Sequence, residues 1–277
     1  MLAKKFFGAY VHVAYGTTAY FIASGSTGID KYDFATDSIS SGGSLLGTGN
    51  GGAAGNGILS IWWQTTGSTT SKYKYATDTV VTATSSPITS SNGSATGNVT
   101  QGIFTRGGGT ALTALYIYNA DTFVAATSTI FNGNNMAAIG NSTVAILAQG
   151  NATTNTNKYT YSSTSMVAAT ALASNVNSAG SITNATEGII ATAGSSATNK
   201  YTYSGDTTST GGNLVVLGST AGAGAGSDTF GIIARGGTGL QVNKYTYAGD
   251  VVTAGGTIVG TLQGHCATSN GTTGVNI

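Results

Sequence analysis

The stretch TNKYTY stands at Thr156–Tyr161 and again at Thr198–Tyr203. Near copies read VNKYTY at Val242–Tyr247, SKYKY at Ser71–Tyr75 and IDKYDF at Ile29–Phe34. Together with LYIY at Leu115–Tyr118, the phrase takes eleven of the fourteen tyrosines in a chain of 277 residues. Its anchors are Lys31, Lys72, Leu115, Lys158, Lys200 and Lys244, spaced 41, 43, 43, 42 and 44 residues apart. Spacing that regular marks an internal repeat, and other phrases keep step with it. Upstream of the anchors lie GIIARGG at Gly231–Gly237, GIFTRGG at Gly102–Gly108 and GIIATAG at Gly188–Gly194. Weaker forms are AILAQGN at Ala145–Asn151, YFIASGS at Tyr20–Ser26 and GILSIWWQ at Gly57–Gln64. Small residues closing on Gly-Asn precede each of these, and segments such as MVAATALA at Met166–Ala173 follow each anchor.

Each unit of about 43 residues therefore offers four short strands, and no segment carries the 3.6-residue period of a helix. A four-stranded repeat of 40–50 residues is the pattern of a β-propeller blade. Six such units nearly fill the chain, so the expected fold is all-β, a six-bladed propeller of four-stranded antiparallel blades. It forms one domain over residues 1–277, with 262–277 as a strand that closes or latches the ring. A partial seventh blade is the alternative, since the tail LQGHCATSNGTTGVNI reads as the start of another unit while AYVHVAYG (residues 9–16) already supplies an inner strand to the first. Six is preferred because an incomplete blade leaves unpaired edges.

The phrase has a chemical logic in that setting. Residues two apart on a strand share a face, so Tyr32/Phe34, Tyr73/Tyr75, Tyr116/Tyr118, Tyr159/Tyr161, Tyr201/Tyr203 and Tyr245/Tyr247 point into the gap between blades. Aromatic rings fill that gap while a hydroxyl reaches a polar group. Six residues after each anchor comes Asp37, Asp78, Asp121, Asp206 or Asp250, with Thr164 in the fourth unit, as a turn into the outer strand requires. The Gly-Gly that ends the second strand gives a bend a side chain would obstruct.

Composition bounds the function. Only 7% of residues are charged and the formal net charge is +1, which excludes the basic surface of a nucleic-acid binder and the Lys/Arg clusters that hold an anionic membrane. No run approaches the ~18 apolar residues of a membrane helix, and the apolar N-terminus is read as part of the repeat, not as a cleaved leader. The chain has one glutamate (Glu187), two histidines (His12, His265) and one cysteine (Cys266). That inventory gives no paired carboxylates for glycoside hydrolysis, no cysteine-based metal cluster and no nucleophile elbow. The expectation is a protein that is not an enzyme, with no catalytic residues, no metal and no cofactor.

Departures from the repeat point to binding. Trp62 and Trp63 are the only tryptophans, standing where other units have small residues, and aromatic faces there suit a sugar ring; plugging a void is the plainer use. Arg106, Gln149 and Arg235 share the place just before the glycines that follow the second strand, with Ser24 and Thr192 in other units. They read as a binding ring at one end of the disc, or as a solvated rim.

Gly-Gly closing the second strand, followed by an aromatic in the third, resembles the kelch repeat, although the usual tryptophan of the fourth strand is absent. The wording TNKYTY…D…VAATALA…GN resembles Gly/Thr-rich repeat proteins of tailed bacteriophages, notably those of cyanobacteria and other aquatic bacteria, and covers all six units. The resemblance implies a virion component: a tail-fibre or appendage propeller, present in multiple copies, that offers a rigid face for host attachment, with surface carbohydrate as the ligand. Its other partners would be virion proteins. A decoration of capsid, neck or baseplate with a purely structural role is the alternative, and a secreted propeller enzyme is the third.

Overall fold

The computed structural model describes residues 17–22, 26–64, 67–89, 93–134, 136–177, 180–217, 222–234, 241–258 and 266–269. They form six four-stranded antiparallel sheets in a ring. The first blade holds β1 (Thr18–Ile22), β2 (Gly28–Asp33) and β3 (Ser38–Ser44), the second β4 (Gly49–Gly55), β5 (Leu59–Gln64), β6 (Thr70–Lys74) and β7 (Thr79–Thr82). The third has β8 (Ser94–Gly97), β9 (Gln101–Thr105), β10 (Thr113–Ile117) and β11 (Thr122–Ala125); the fourth β12 (Ala137–Gly140), β13 (Val144–Ala148), β14 (Thr156–Thr160) and β15 (Ser165–Ala168). The fifth has β16 (Gly180–Thr183), β17 (Glu187–Ala191), β18 (Thr198–Thr202) and β19 (Thr207–Thr210); the sixth β20 (Ala223–Gly226), β21 (Phe230–Ala234), β22 (Gln241–Thr246) and β23 (Val251–Thr257).

The last described strand, β24 (Cys266–Ser269), completes the first blade by pairing antiparallel with β1, from Ala19↔Ser269 to Ile22↔Cys266. The C-terminal tail therefore latches the ring, and there is no seventh sheet among the described residues. Among the described residues β24 is the strand inside β1, and AYVHVAYG (residues 9–16) lies outside the described residues.

The core is six clusters, each astride one seam between neighbouring blades. Tyr73 of the second blade packs on Ile22 and Ile29 of the first, Tyr116 and Tyr118 on Ile61 of the second, and Tyr245 and Tyr247 on Ile182 and Ile189 of the fifth. Tyr32 and Phe34 close the circle against Ile232 and Ala225 of the sixth. In every case the tyrosine of the third strand faces the preceding blade. Strand alternation then turns the adjacent lysine to the following one.

The remaining letters of the phrase serve the connections. Its first threonine donates to the carbonyl where the outer strand ends, as in Thr70 Oγ1 to Thr84 O (2.8 Å) and Thr156 Oγ1 to Thr170 O (2.8 Å). Its asparagine accepts from the backbone of the connection entering its blade: Asn157 Oδ1 from Ile130 N (2.8 Å) and Asn243 Oδ1 from Val216 N (2.8 Å). The Gly-Asn phrase has a role as well. Asn98, Asn141 and Asn184 cap their own turns with Oδ1 and reach with Nδ2 to the next blade's turn, at Ser142 O, Ala185 O and Asp228 O (3.0, 3.2 and 3.2 Å).

Glycine is needed for two different reasons. A Cβ on Gly226 would collide with the Thr183 carbonyl oxygen of the fifth blade and lie 2.6 Å from the Tyr247 hydroxyl, so this glycine admits both the neighbouring strand and the ring. Gly109, by contrast, has φ +73° with open space around it. There the backbone conformation, not obstruction of a side chain, selects glycine.

Candidate functional site

At five of the six seams the lysine of one blade meets the tyrosine and aspartate of the next. Asp78 is held by Lys31 Nζ (2.6 Å), the Tyr73 hydroxyl and Gly43 N (2.8 Å). Lys72 and Tyr116 both reach Asp121, and Tyr201 joins Lys158 (2.6 Å) on Asp206. Lys200 bridges Asp250 (3.1 Å) and Glu187 (2.9 Å), while Tyr245 donates to Asp250 at 2.6 Å. Lys244 closes the ring on Asp37 at 2.8 Å, with Tyr32 on the same carboxylate. Each aspartate sits at the left-handed position of its turn, with φ between 48° and 54°, a conformation that Asp tolerates better than most residues.

These contacts set the ionisation of the carboxylates. Hydrogen bonds from Lys244 and Tyr32 hold Asp37 below the ordinary carboxylate range, and Lys72 and Tyr116 do the same for Asp121. At Asp78 and Asp206 burial pushes upward first but is outweighed by the lysine, the tyrosine and a backbone N–H. A carboxyl depressed in the folded state adds stability above its unfolded pKa and loses it as pH falls through the folded value. Stability contributed by these four groups is thus present above about pH 4 and fades in stronger acid. Replacing Asp78 with Ala strips three hydrogen bonds, one of them the ion pair with partly exposed Lys31, and is expected to cost about 2 kcal/mol. Asp78→Asn keeps an acceptor and costs less. Chemical denaturation of both variants checks the order; equal, negligible losses would show the seam bond to be ornamental.

The seam between the third and fourth blades departs from this scheme at both ends at once. Leu115 stands for the lysine and Thr164 for the aspartate, and Leu115 and Met166 join Tyr159 in an apolar cluster. Tyr159, alone among the phrase's first tyrosines, leaves its hydroxyl without a partner. Thr164→Asp supplies an acceptor and removes a β-branched residue from φ 52°, so it should stabilise by about 1 kcal/mol. Leu115→Lys alone buries an unpaired charge and destabilises, whereas the double variant recovers that loss. Thermal melts of the three proteins measure the coupling; additive effects would refute it.

The residues picked out for binding are placed differently from expectation. Trp62 and Trp63 are both 0% exposed, so neither offers a face to a sugar, and that expectation is corrected. Strand register shows why: Trp62 is level with Phe104, Leu147, Ile190 and Ile233, positions buried in every blade, and only Trp63 replaces smaller residues (Thr105, Ala148, Ala191, Ala234). Trp62 packs on the first blade and donates Nε1 to Ser60 Oγ (2.7 Å); Trp63 lies edge-on to Phe104 at 6.0 Å in the second seam.

Arg106 and Gln149 do occupy equivalent places, immediately after β9 and β13, with Thr192 after β17. Arg235 and Ser24 lie outside the described residues. Gln149 is a brace: Nε2 donates to Asn132 O in the connection between blades, and Oε1 accepts from Asn155 Nδ2 (2.9 Å) and Thr153 Oγ1 (3.2 Å). Thr192 Oγ1 likewise donates to Asn175 O (3.2 Å). Gln64, which the sequence reading passed over beside the tryptophans, has the same place in the second blade and lies against Gly47 of a connection. Arg106 Nε is enclosed without a partner. At Gln149 and Thr192 this position ties the second-to-third-strand loop to the adjoining connection.

The disc's two faces therefore differ. One, here the turn face, carries the tight turns, with the aspartates and lysines of the seams. The other, the broad face, carries the second-to-third-strand loops and the connections between blades, and of the described charged residues only Arg106 and Asp30 lie toward it. Among the described residues no group of three or more His, Cys, Asp or Glu side chains could hold a metal ion.

Six four-stranded sheets, sealed by a C-terminal strand in the first, define a six-bladed β-propeller. A chain from the crystal structure of a nidogen/laminin complex is similar in fold, with a TM-score of 0.68 at 9% identity over 91% of this chain and 98% of that one. At that identity the likeness concerns the fold alone. No protein-family model matches the sequence, and no curated protein matches it.

Proposed function

We propose that the chain is a non-enzymatic structural module of a phage virion that works by docking one rigid face of its disc onto another protein. The observation that carries this reading is the composition of the broad face. It is nearly free of described charge yet presents an apolar side chain from each described connection between blades. Five lysines, five aspartates and Glu187 are meanwhile engaged in ion pairs within and between blades. The fold suits such work, as a propeller of this kind occurs in a nidogen/laminin complex. Virion membership rests on the wording of the repeats, which resembles phage repeat proteins.

Host attachment through carbohydrate loses its aromatic platform with the burial of Trp62 and Trp63, so protein docking is preferred to it. Antibody raised against the recombinant protein should decorate purified particles of the encoding phage in electron micrographs. Unlabelled particles would refute a virion role. Glycan-array binding in place of protein capture would restore the attachment reading.

A further inference from the structure

Strand register singles out one residue of the first blade. Opposite the lysine of the phrase, the second strand carries Ile61, Ile146, Ile189 or Ile232, and Ile103 stands opposite Leu115. Ile61, Ile146, Ile189, Ile232 and Ile103 share their seam clusters with Tyr116, Tyr201, Tyr245, Tyr32 and Tyr159, respectively, the first tyrosine of the neighbouring unit's phrase. In the first blade the place opposite Lys31 belongs to Tyr20, which shares its cluster with Tyr73. An isoleucine suffices in five blades, so seam packing alone does not call for a phenol here.

The exchange gathers three phenols between the first and second blades. Ring centre to ring centre, Tyr20 lies 4.8 Å from Tyr75 and 5.2 Å from Tyr73, and Tyr73 lies 5.7 Å from Tyr75. Among the described residues no other seam brings tyrosines of two blades into ring contact. Tyr20 and Tyr75 are also the nearest and most nearly parallel of the aromatic pairs, with 33° between their planes. Tyrosine pairs within one strand stand 5.4–6.0 Å apart at 45–81°. Offset, near-parallel rings lay their edges side by side, whereas a T-shaped contact aims one edge at the other ring's face. Tyr20 and Tyr73 are buried and Tyr75 is half-buried. The cluster is therefore shielded from other protein molecules yet open at one ring to a small oxidant.

We propose that Tyr20 and Tyr75 are an oxidative cross-linking site, joined by a one-electron oxidant into a dityrosine through an ortho carbon of each ring. Each phenol gives one electron to the oxidant and its hydroxyl proton to water. The two radicals pair to form the carbon–carbon bond, and each ring regains aromaticity as its ortho hydrogen passes to the oxygen. In sum the protein loses two electrons and two protons and gains no atom. The bond ties the first blade, which the C-terminal strand seals, to the second. It also closes the long stretch of chain between residues 20 and 75, which restricts the unfolded state as a disulfide does. The site is independent of the docking reading.

Brief illumination of the dilute full chain with tris(bipyridine)ruthenium(II) and persulfate tests it. The expected product is a single chain, lighter by two hydrogen atoms, with dityrosine fluorescence and a bond that peptide mapping places between Tyr20 and Tyr75. It should melt about 5 °C above the untreated protein. Tyr20→Ile installs the residue of the other five blades, and Tyr75→Phe the residue that the first unit carries as Phe34. Both variants should keep the wild-type circular dichroism and lose the link, and illumination of the wild type in denaturant should lose it too. A bond from Tyr20 to Tyr73, a dityrosine that survives Tyr20→Ile, or a wild type that gives no link within the chain overturns the assignment.

Discussion

Raised past pH 10, the protein unfolds in one steep step, and its phenols ionise with the unfolding and not before it. Burial, and then the hydrogen bond to the neighbouring aspartate, raises the pKa of Tyr32, Tyr73, Tyr116, Tyr201 and Tyr245. Burial raises Tyr118, Tyr161, Tyr203 and Tyr247 as well. A group whose folded pKa exceeds its unfolded value contributes stability that is complete below the unfolded value, near 10, and is lost as pH climbs toward the folded one. Each protected phenol gives up about 1.4 kcal/mol per pH unit in that window. Nine acting together remove on the order of 10 kcal/mol within one unit, the whole stability of a typical domain. Circular dichroism and phenolate absorbance should therefore change together, with a midpoint near pH 11. Gradual phenolate absorbance with unchanged dichroism would show the rings to be in contact with water.

Removal of residues 266–277 should leave a chain that does not complete its fold. β24 supplies the inner strand of the first blade and packs against β4 and β20 of the adjoining blades. Its loss takes away a four-residue ladder, worth about 1 kcal/mol per hydrogen bond. It also bares the inner edge of β1, where Ala19, Tyr20, Phe21 and Ile22 are buried. A loss of about 5 kcal/mol is comparable with total stability, so the truncated protein should be insoluble or melt about 10 °C lower. Differential scanning calorimetry distinguishes the outcomes. An unchanged transition would mean that the first blade closes by other means.

Much of this architecture could be read from the chain because a repeat supplies its own internal comparison. Blade count, strand content, the inward tyrosines and the latching tail all follow from phrases in step. What escaped was the relation between phrases. Lys31 and Asp78 are 47 residues apart, and their pairing depends on which face of the third strand looks forward, something that curvature of the whole ring decides. The paired departure at Leu115 and Thr164 was visible as two separate irregularities, and became one fact only when the two sites proved to face a common seam. Trp62 was misplaced because phrases were aligned by their first glycines, which sets the second unit three residues out of step, and an odd slip turns a strand's side chains to the other face. Gln149 and Thr192 hold loops through partners that no local pattern announces.

The apolar third-to-fourth seam has a geometric consequence. In a circle of six it lies diametrically opposite the seam that β24 helps to close, between the sixth blade and the first. The molecule is thereby divided along a diameter into two crescents of three blades, each bound internally by lysine–aspartate links. Across that diameter, one junction joins a lysine–aspartate link to the C-terminal strand's closure of the ring, and the other has hydrogen bonds and apolar contact with no lysine–aspartate pair among the described residues. The third-to-fourth junction, alone among the six in lacking that pair among the described residues, is where a force that pries the circle open is expected to act first.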